Sequence, residues 1–521
     1  MSRIPLQACL IAACSTLMPL VAQARSAEPV AAEGYRLLFD ASRFTVKTST
    51  FEGRTFSYRA YEGIVYVKHP VDAAYQCMNI YIPVEYYEYK SSGDYRADSA
   101  PIFLPNSLGG YLPGRPGGPG MGFNGKANAA LVALSKGYIV AAPGARGRTN
   151  QDAKGEYTGK APAALVDLKA AVRYLRFNDA RMPGNAERIV SNGTSAGGAL
   201  SALLGATGNH PDYDPYLKAL GAAEARDDVF AVSAYCPITN LDYADAAYEW
   251  QLCGVNEYTR GFMPPPGGGP GPGRQGPGNG ERPPFPGGMP PGAPPVGTKM
   301  ALSADQIAHS KALKALFPNY VNGLGLKSSD GKALTLDVEG NGSFKDYIRS
   351  LLMESAQRAV NTGKDLSAQS WLKVQGGKVQ SLDFEAYIRF AGRMKSTAAF
   401  DGLDLGTGEN SLFGTSQVNA QHFTAYGQAH SLKPGSQADA GIVKLMNPMA
   451  YIGVPGATVA NQWRIRHGTM DRDTSLAIPV ILATRLASSG SHVDLALPWG
   501  QGHGGDYDLD ELFAWVDKVC R

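Results

Sequence analysis

The chain has 521 residues, 62 of them glycine and 35 proline, while 44% are hydrophobic and only 18% charged. A chain this long and this apolar can bury a large core, which excludes wholesale disorder, and one large α/β domain with insertions reaches this size as readily as several domains do. The net charge of +3 is too small a surplus for an electrostatic nucleic-acid binder, so no nucleic-acid partner is expected.

Residues 1–24 have the form of a secretory signal. Arg3 is the only charged side chain, an apolar stretch runs from Cys9 to Val21, and Ala22-Gln23-Ala24 is a small-residue cleavage site. The expected location is therefore outside the cytoplasm, periplasmic or extracellular. As an alternative, Ile11-Ala12-Ala13-Cys14 resembles a bacterial lipobox, which would anchor the protein at Cys14. After the signal, no apolar run reaches the ~18–20 residues that span a bilayer. Cleavage after Ala24 leaves Cys77, Cys236, Cys253 and Cys520, and nearness in sequence favours a Cys236–Cys253 disulfide in an oxidising compartment. No Cys-x-x-Cys or His-Glu-x-x-His pattern occurs, so neither a metal nor a cofactor is expected.

Strand-like runs open the mature chain at Gly63–Val67 and Met78–Ile82. Strands and helices then alternate: a strand at 101–104, a helix over 126–136, a strand at 138–142, and an amphipathic helix over 161–178 with Leu165, Leu168, Val172 and Leu175 on one face. Further strands follow at 188–190 and 229–232. The alternation pauses near residue 240 and resumes near 445, with strands at 462–466 and 492–497 and helices over 475–488 and 511–519. This pattern predicts an α/β fold with a doubly wound, mostly parallel sheet, its core formed by 25–240 and 445–521. The intervening 241–444 reads as a mainly helical insertion, placed over the sheet as a lid, with helices at 303–316, 344–361 and 383–394. Within it, residues 264–297 hold 13 prolines and 12 glycines, a composition expected to stay disordered.

Gly193-Thr194-Ser195-Ala196-Gly197 joins an apolar strand to an Ala/Leu-rich helix, the strand-turn-helix setting in which a nucleophilic serine is held above a sheet. A serine nucleophile needs a base, and the base needs an orienting acid; in this setting they follow in the order Ser, acid, His. His503, in the flexible turn Gly500-Gln501-Gly502-His503-Gly504-Gly505, comes late enough, whereas His492 opens a strand. The acid is expected after the strand ending at Arg466, where Asp471 fits best. Oxyanion donors are expected from the amide of Ala196 and from Gly109 or Gly110 in the Asn106-Ser107-Leu108-Gly109-Gly110-Tyr111 loop. A dinucleotide-like Gly120-x-Gly122-x-x-Gly125 follows a Pro/Gly run in place of a strand and is set aside. Asp506, Asp508 and Asp510 are expected to charge and cap the final helix.

These motifs, together with His-Gly-Thr-Met-Asp471-Arg-Asp473 and the segments Arg393-Met394-Lys395 and Gly408-Glu409-Asn410, resemble the bacterial tannases (tannin acyl hydrolases) of the α/β-hydrolase superfamily, over about residues 35–520. The resemblance implies a serine esterase that cleaves galloyl esters through an acyl-enzyme, with a small-molecule galloyl ester as its partner. It places the triad on Ser195, Asp471 and His503, and the grip on the galloyl hydroxyls on Lys395, Glu409 and Asp473. Alone, Lys395 and Glu409 look like ordinary solvated charges. Thr194 and Gly502 stand where the fungal tannase and feruloyl esterase group places cysteines, so the chain looks unlike that group. The alternatives are a feruloyl or general carboxylesterase, a prolyl-oligopeptidase-like serine hydrolase, and an inactive secreted binding scaffold.

Overall fold

The computed structural model describes residues 34–122, 125–259 and 297–521. The expected signal with Cys14, and residues 264–296 of the Pro/Gly tract, lie outside them. The described chain begins with three antiparallel strands, β1 (Thr45–Phe51), β2 (Arg54–Val65) and β3 (Cys77–Pro83). Strands and helices then alternate: β4 (Pro101–Pro105), α1 (Ala129–Ser135), β5 (Ile139–Pro143), α2 (Ala163–Phe177), β6 (Asn185–Thr194), α3 (Ala196–Ala206), α4 (Asp214–Ala219), β7 (Ala231–Tyr235) and α5 (Leu241–Leu252). A long segment next leaves the sheet. It carries the ribbon β8 (Glu257–Thr259) with β9 (Lys299–Ala301), the helices α6 (Ala304–Gly323) and α7 (Ser343–Asn361), and the hairpin β10 (Leu372–Gln375) with β11 (Lys378–Leu382). The helix α8 (Phe384–Ala391) and the short helices α9 (Gly408–Leu412), α10 (Ala425–Ala429) and α11 (Ala440–Leu445) complete it. The sheet resumes with β12 (Gln462–Arg466), α12 (Ala477–Ser488), β13 (His492–Ala496) and α13 (Leu509–Cys520).

The sheet has nine strands in the order β1-β2-β3-β5-β4-β6-β7-β12-β13. Every pairing from β5 through β13 is parallel. Helices cover both faces, which is why β5 and β7 are buried at every position, as central parallel strands are. On α2, Leu165, Leu168, Val172 and Leu175 are all buried, so the predicted spacing marks the packed face. Among the described residues, no helix is long and apolar enough to cross a membrane.

Three departures from the sequence pattern have physical causes. The run at 63–67 overlaps only the last three residues of β2, whose earlier half pairs with β1 at a solvent-facing edge and so lacks a strong apolar signal. The helix expected at 303–316 continues to Gly323 through Pro318, because Phe317 and Val321 are fully buried and Phe317 packs on Trp250. The expected Cys236–Cys253 disulfide is absent: all four described cysteines are free. The 12-residue α5 stands between that pair and rises about 18 Å, whereas bridged Cα atoms lie within about 7 Å.

The strand register sets up the site. Thr194 pairs with Tyr235, Tyr235 with Arg466, and Arg466 with Ala496. The loops that begin at Ser195, Cys236, His467 and Leu497 therefore leave the sheet level with one another, from its carboxyl edge, where α/β sheets gather their functional groups.

Candidate active site

Ser195 occupies the turn between β6 and α3 at φ +84° and ψ −113°, a backbone conformation that non-glycine residues hold only when the surroundings enforce it. The enforcement is visible. Ser195 N–H donates to the Tyr235 carbonyl at 3.0 Å, and the Ser195 carbonyl accepts from Ala199 N–H at 2.8 Å. Glycine is required on both sides: a Cβ at Gly193 would lie 2.3 Å from the Gly197 carbonyl oxygen, and one at Gly197 would lie 2.5 Å from Asn106 Oδ1. Asn106 Nδ2 in turn donates to the Gly197 carbonyl at 3.1 Å and Ser201 Oγ at 2.9 Å. The loop after β4, with Gly109 and Gly110, is thereby sewn to the turn that carries Ser195 and Ala196.

His503 Nε2 lies 2.7 Å from Ser195 Oγ, and His503 Nδ1 lies 2.8 Å from Asp471 Oδ2. The other Asp471 oxygen accepts from Asp473 N–H at 2.8 Å. The three residues predicted from separate motifs thus meet in one hydrogen-bonded line. Backbone bonds lace the two loops involved: Thr469 N–H donates to the Pro498 carbonyl at 3.1 Å and Met470 N–H to the Gln501 carbonyl at 2.8 Å. Beyond His503, Asp506 accepts from Asn192, and Asp508 accepts from Tyr235 and Arg464. Asp510 stands in the first turn of α13, as expected, but Asp508 makes no side-chain cap there; Asp506 and Asp508 instead tie the histidine loop to the sheet.

Burial raises the cost of charging Asp471, but His503, His467 and the hydrogen bonds from His503 and the Asp473 amide together outweigh it and hold the carboxyl well below the usual range. Burial opposes a charge on His503 too, and the Asp471 carboxylate overcomes it, raising the proton affinity of the imidazole. Cys236 Sγ sits 3.9 Å from His503 Nε2, with its thiol pushed up by burial. Cys236, Asp471 and His503 could together offer atoms to a metal ion, yet His503 and Asp471 are already engaged with Ser195 and with each other. His467 is fully buried, and its Nδ1 lies 3.7 Å from Asp471 Oδ2.

Lys395 Nζ lies 2.8 Å from Asp473 Oδ1 as an ion pair. Asp473 Oδ2 has no hydrogen-bond donor among the described residues, although the side chain is buried. A buried carboxylate with open lone pairs is a ready acceptor for a ligand hydroxyl. Burial disfavours the Lys395 charge, but Asp473 and Glu409 more than compensate and raise its proton affinity. Burial pushes Glu409 up, against the pull of Lys395. Lys395 Nζ also stands 4.0 Å over the Phe400 ring. Lys395, Glu409 and Asp473 therefore share one electrostatic neighbourhood, and Asp473 lies two residues along the chain from Asp471.

Sequence reasoning passed over Arg148, Tyr248 and Phe400. Arg148 Nε donates to the Gly110 carbonyl at 2.8 Å and its charge acts on Glu409. Tyr248 reaches the backbone of Lys395. None of the three lies in a motif; their roles come from contacts far apart in the chain.

Comparison with known proteins bears on the whole chain. A family model described as BD-FAE matches residues 120–255. No curated protein matches. Among solved structures, a Fusobacterium nucleatum tannase is 49% identical with a TM-score of 0.86, covering 94% of this chain and 100% of its own. A tannin acyl hydrolase from Lactobacillus plantarum is 44% identical with a TM-score of 0.84, covering 93% and 99%. A tannin acyl hydrolase in complex with ethyl gallate matches with the same identity, TM-score and coverage. Identity of this order over nearly the full length of both partners places this chain in the tannase family, carboxylic-ester hydrolases of the α/β-hydrolase fold.

Proposed function

We propose that the protein is an exported serine esterase that hydrolyses galloyl esters and releases gallic acid. Ser195 Oγ attacks the ester carbonyl carbon as its proton passes to His503 Nε2, while Asp471 holds the Nδ1–H and stabilises the imidazolium. The oxyanion that forms is met by the amides of Ala196 and of Gly109 or Gly110. Collapse breaks the ester C–O bond, and His503 returns the proton to the departing alcohol oxygen. Water, activated by His503, then cleaves the galloyl ester on Ser195.

Lys395, Glu409 and Asp473 bind the ring hydroxyls, with Asp473 accepting through its open lone pairs and Lys395 donating. A site built to bond a hydroxyl rejects an analogue that lacks it, because buried polar groups are then left unpaired. The segment 241–444 covers the acyl site as a lid that presents Lys395 and Glu409. The ethyl gallate held by a relative at 44% identity supports the choice of acid. The observation that carries the reading is the Ser195–His503–Asp471 line at 2.7 and 2.8 Å with the Lys395–Asp473 pair beside it.

The test is release of gallic acid from methyl gallate by purified protein, alongside methyl 4-hydroxybenzoate. Lys395→Ala and Glu409→Ala should each erode the preference for gallate about 10- to 100-fold. An unchanged ratio removes these two residues from recognition, and no gallate release by the wild-type protein refutes the substrate.

A further inference from the structure

Lys395 and Asp473 come from segments 78 positions apart in sequence, and nothing in either explains why they meet. The explanation lies on α5. Asp245, Tyr248 and Glu249 are spaced so that they share one face of that helix, and all three are buried. Each side chain grips the stretch 393–401. Asp245 Oδ1 accepts from Ala399 N–H at 2.6 Å and Phe400 N–H at 2.8 Å, and its Oδ2 accepts from Asp401 N–H at 2.7 Å. Glu249 pairs with Arg393, both fully buried, and accepts from Thr397 Oγ1 at 2.9 Å and Ser310 Oγ at 2.5 Å.

Tyr248 does more. Its hydroxyl accepts from Met394 N–H at 3.3 Å and Lys395 N–H at 3.2 Å, and donates to the Arg472 carbonyl at 2.8 Å. One phenolic oxygen therefore joins the backbone at Lys395 to the backbone beside Asp473. Its ring stands edge-on to Phe400, the ring beneath the Lys395 ammonium. Burial pushes the phenol up to about 12, so it keeps the proton it donates to Arg472 at neutral pH.

We propose that Tyr248 is a positioning residue for acyl-group specificity: its hydroxyl sets the spacing of Lys395 and Asp473, with Asp245 and Glu249 anchoring the same stretch to α5. Tyr248 acts through the other two residues and not on the ester bond. The proposal rests on the galloyl reading above and deepens it, since it explains how a recognition pair is assembled from loops that are not neighbours in sequence.

The test is Tyr248→Phe, which removes one oxygen and keeps the ring. The KM for methyl gallate should rise about 10-fold, the scale set by losing a buried hydrogen-bonded bridge. Hydrolysis of 4-nitrophenyl acetate, which needs the triad but no ring hydroxyls, should change less than twofold, and the unfolding temperature should stay within a few degrees. In a Lys395→Ala background the same substitution should raise the KM for methyl gallate clearly less than it does in the wild type, because one of the two groups it spaces has gone. A KM within twofold of wild type, an equal loss on both esters, or full additivity with Lys395→Ala would each overturn the proposal. Should Tyr248→Phe fail to fold, Asp245→Asn carries the same expectations through the amides of Ala399 to Asp401. Failure of the galloyl reading looks different: the wild-type protein then releases no gallate before any variant is made.

Discussion

Two Ser–His–Asp lines run through this chain at nearly equal distances, and their contrast shows what distances leave out. At the sheet edge, Ser195, His503 and Asp471 are linked at 2.7 and 2.8 Å. Within the segment that leaves the sheet, His422 Nε2 lies 2.8 Å from Ser431 Oγ, and His422 Nδ1 lies 2.7 Å from Asp401 Oδ1. The surroundings differ. Ser431 Oγ donates its single proton to the Lys433 carbonyl at 2.6 Å, so it faces the imidazole with lone pairs and has no proton to give it. Asp401 is saturated by donors from Asn410, Phe423 and Thr424. Ser195, by contrast, is held at positive φ at the start of α3 with the amide of Ala196 beside it. A nucleophile needs a free proton path and oxyanion donors; the second line has the geometry of a buried brace.

The sharpest way to separate the two lines is to break each in turn. Ser195→Ala should lower kcat for methyl gallate by about 10⁴-fold or more, and retained turnover would transfer the chemistry elsewhere. If the second line is a brace, the cost of breaking it appears in stability: His422→Ala should destabilise the fold by about 2–4 kcal/mol in urea unfolding. A pH profile distinguishes them more finely. Only neutral His503 can take the serine proton, and Asp471 raises its proton affinity. The acid limb of kcat/KM should therefore have its midpoint above the ordinary histidine value of 6.5, losing about tenfold per pH unit below it. Asp471→Asn should move that limb down, while Asp401→Asn should leave it in place. The smallest effect belongs to Ser431→Ala, for which kcat should change less than twofold.

How much of this was legible in the sequence follows from the range of each interaction. Ser195, Asp471 and His503 announce themselves through short glycine-bearing turns, and chain order supplied the roles proposed for them. The strand β12, read at 462–466, matches the structure in extent, although only Trp463 and Ile465 are apolar; Arg464 and Arg466 are buried by pairing with Asp508 and Asp494. The helix α5 gave no such signal: it buries Asp245, Glu249 and Gln251 along with its apolar residues, so apolar periodicity is blurred where polar side chains are buried by pairing. Lys395 and Glu409 carried no signal of their own and entered only through family resemblance. Arg148 and Tyr248 were invisible because their partners are distant in sequence. Nearness in sequence misled for Cys236 and Cys253, where an intervening helix keeps the thiols apart.

The ribbon of β8 and β9 gives the proline and glycine excess a mechanical reading. Thr259 and Lys299 are cross-strand partners, so the chain departs for and returns from residues 260–298 through a single clasp. Thr259 N–H also donates to the Arg393 carbonyl at 3.0 Å, so the clasp is fastened to the stretch that leads into Lys395. Because the clasp fixes where the chain resumes after Thr259, the register between α5 and α6 is set by the ribbon and not by the number of residues between its strands.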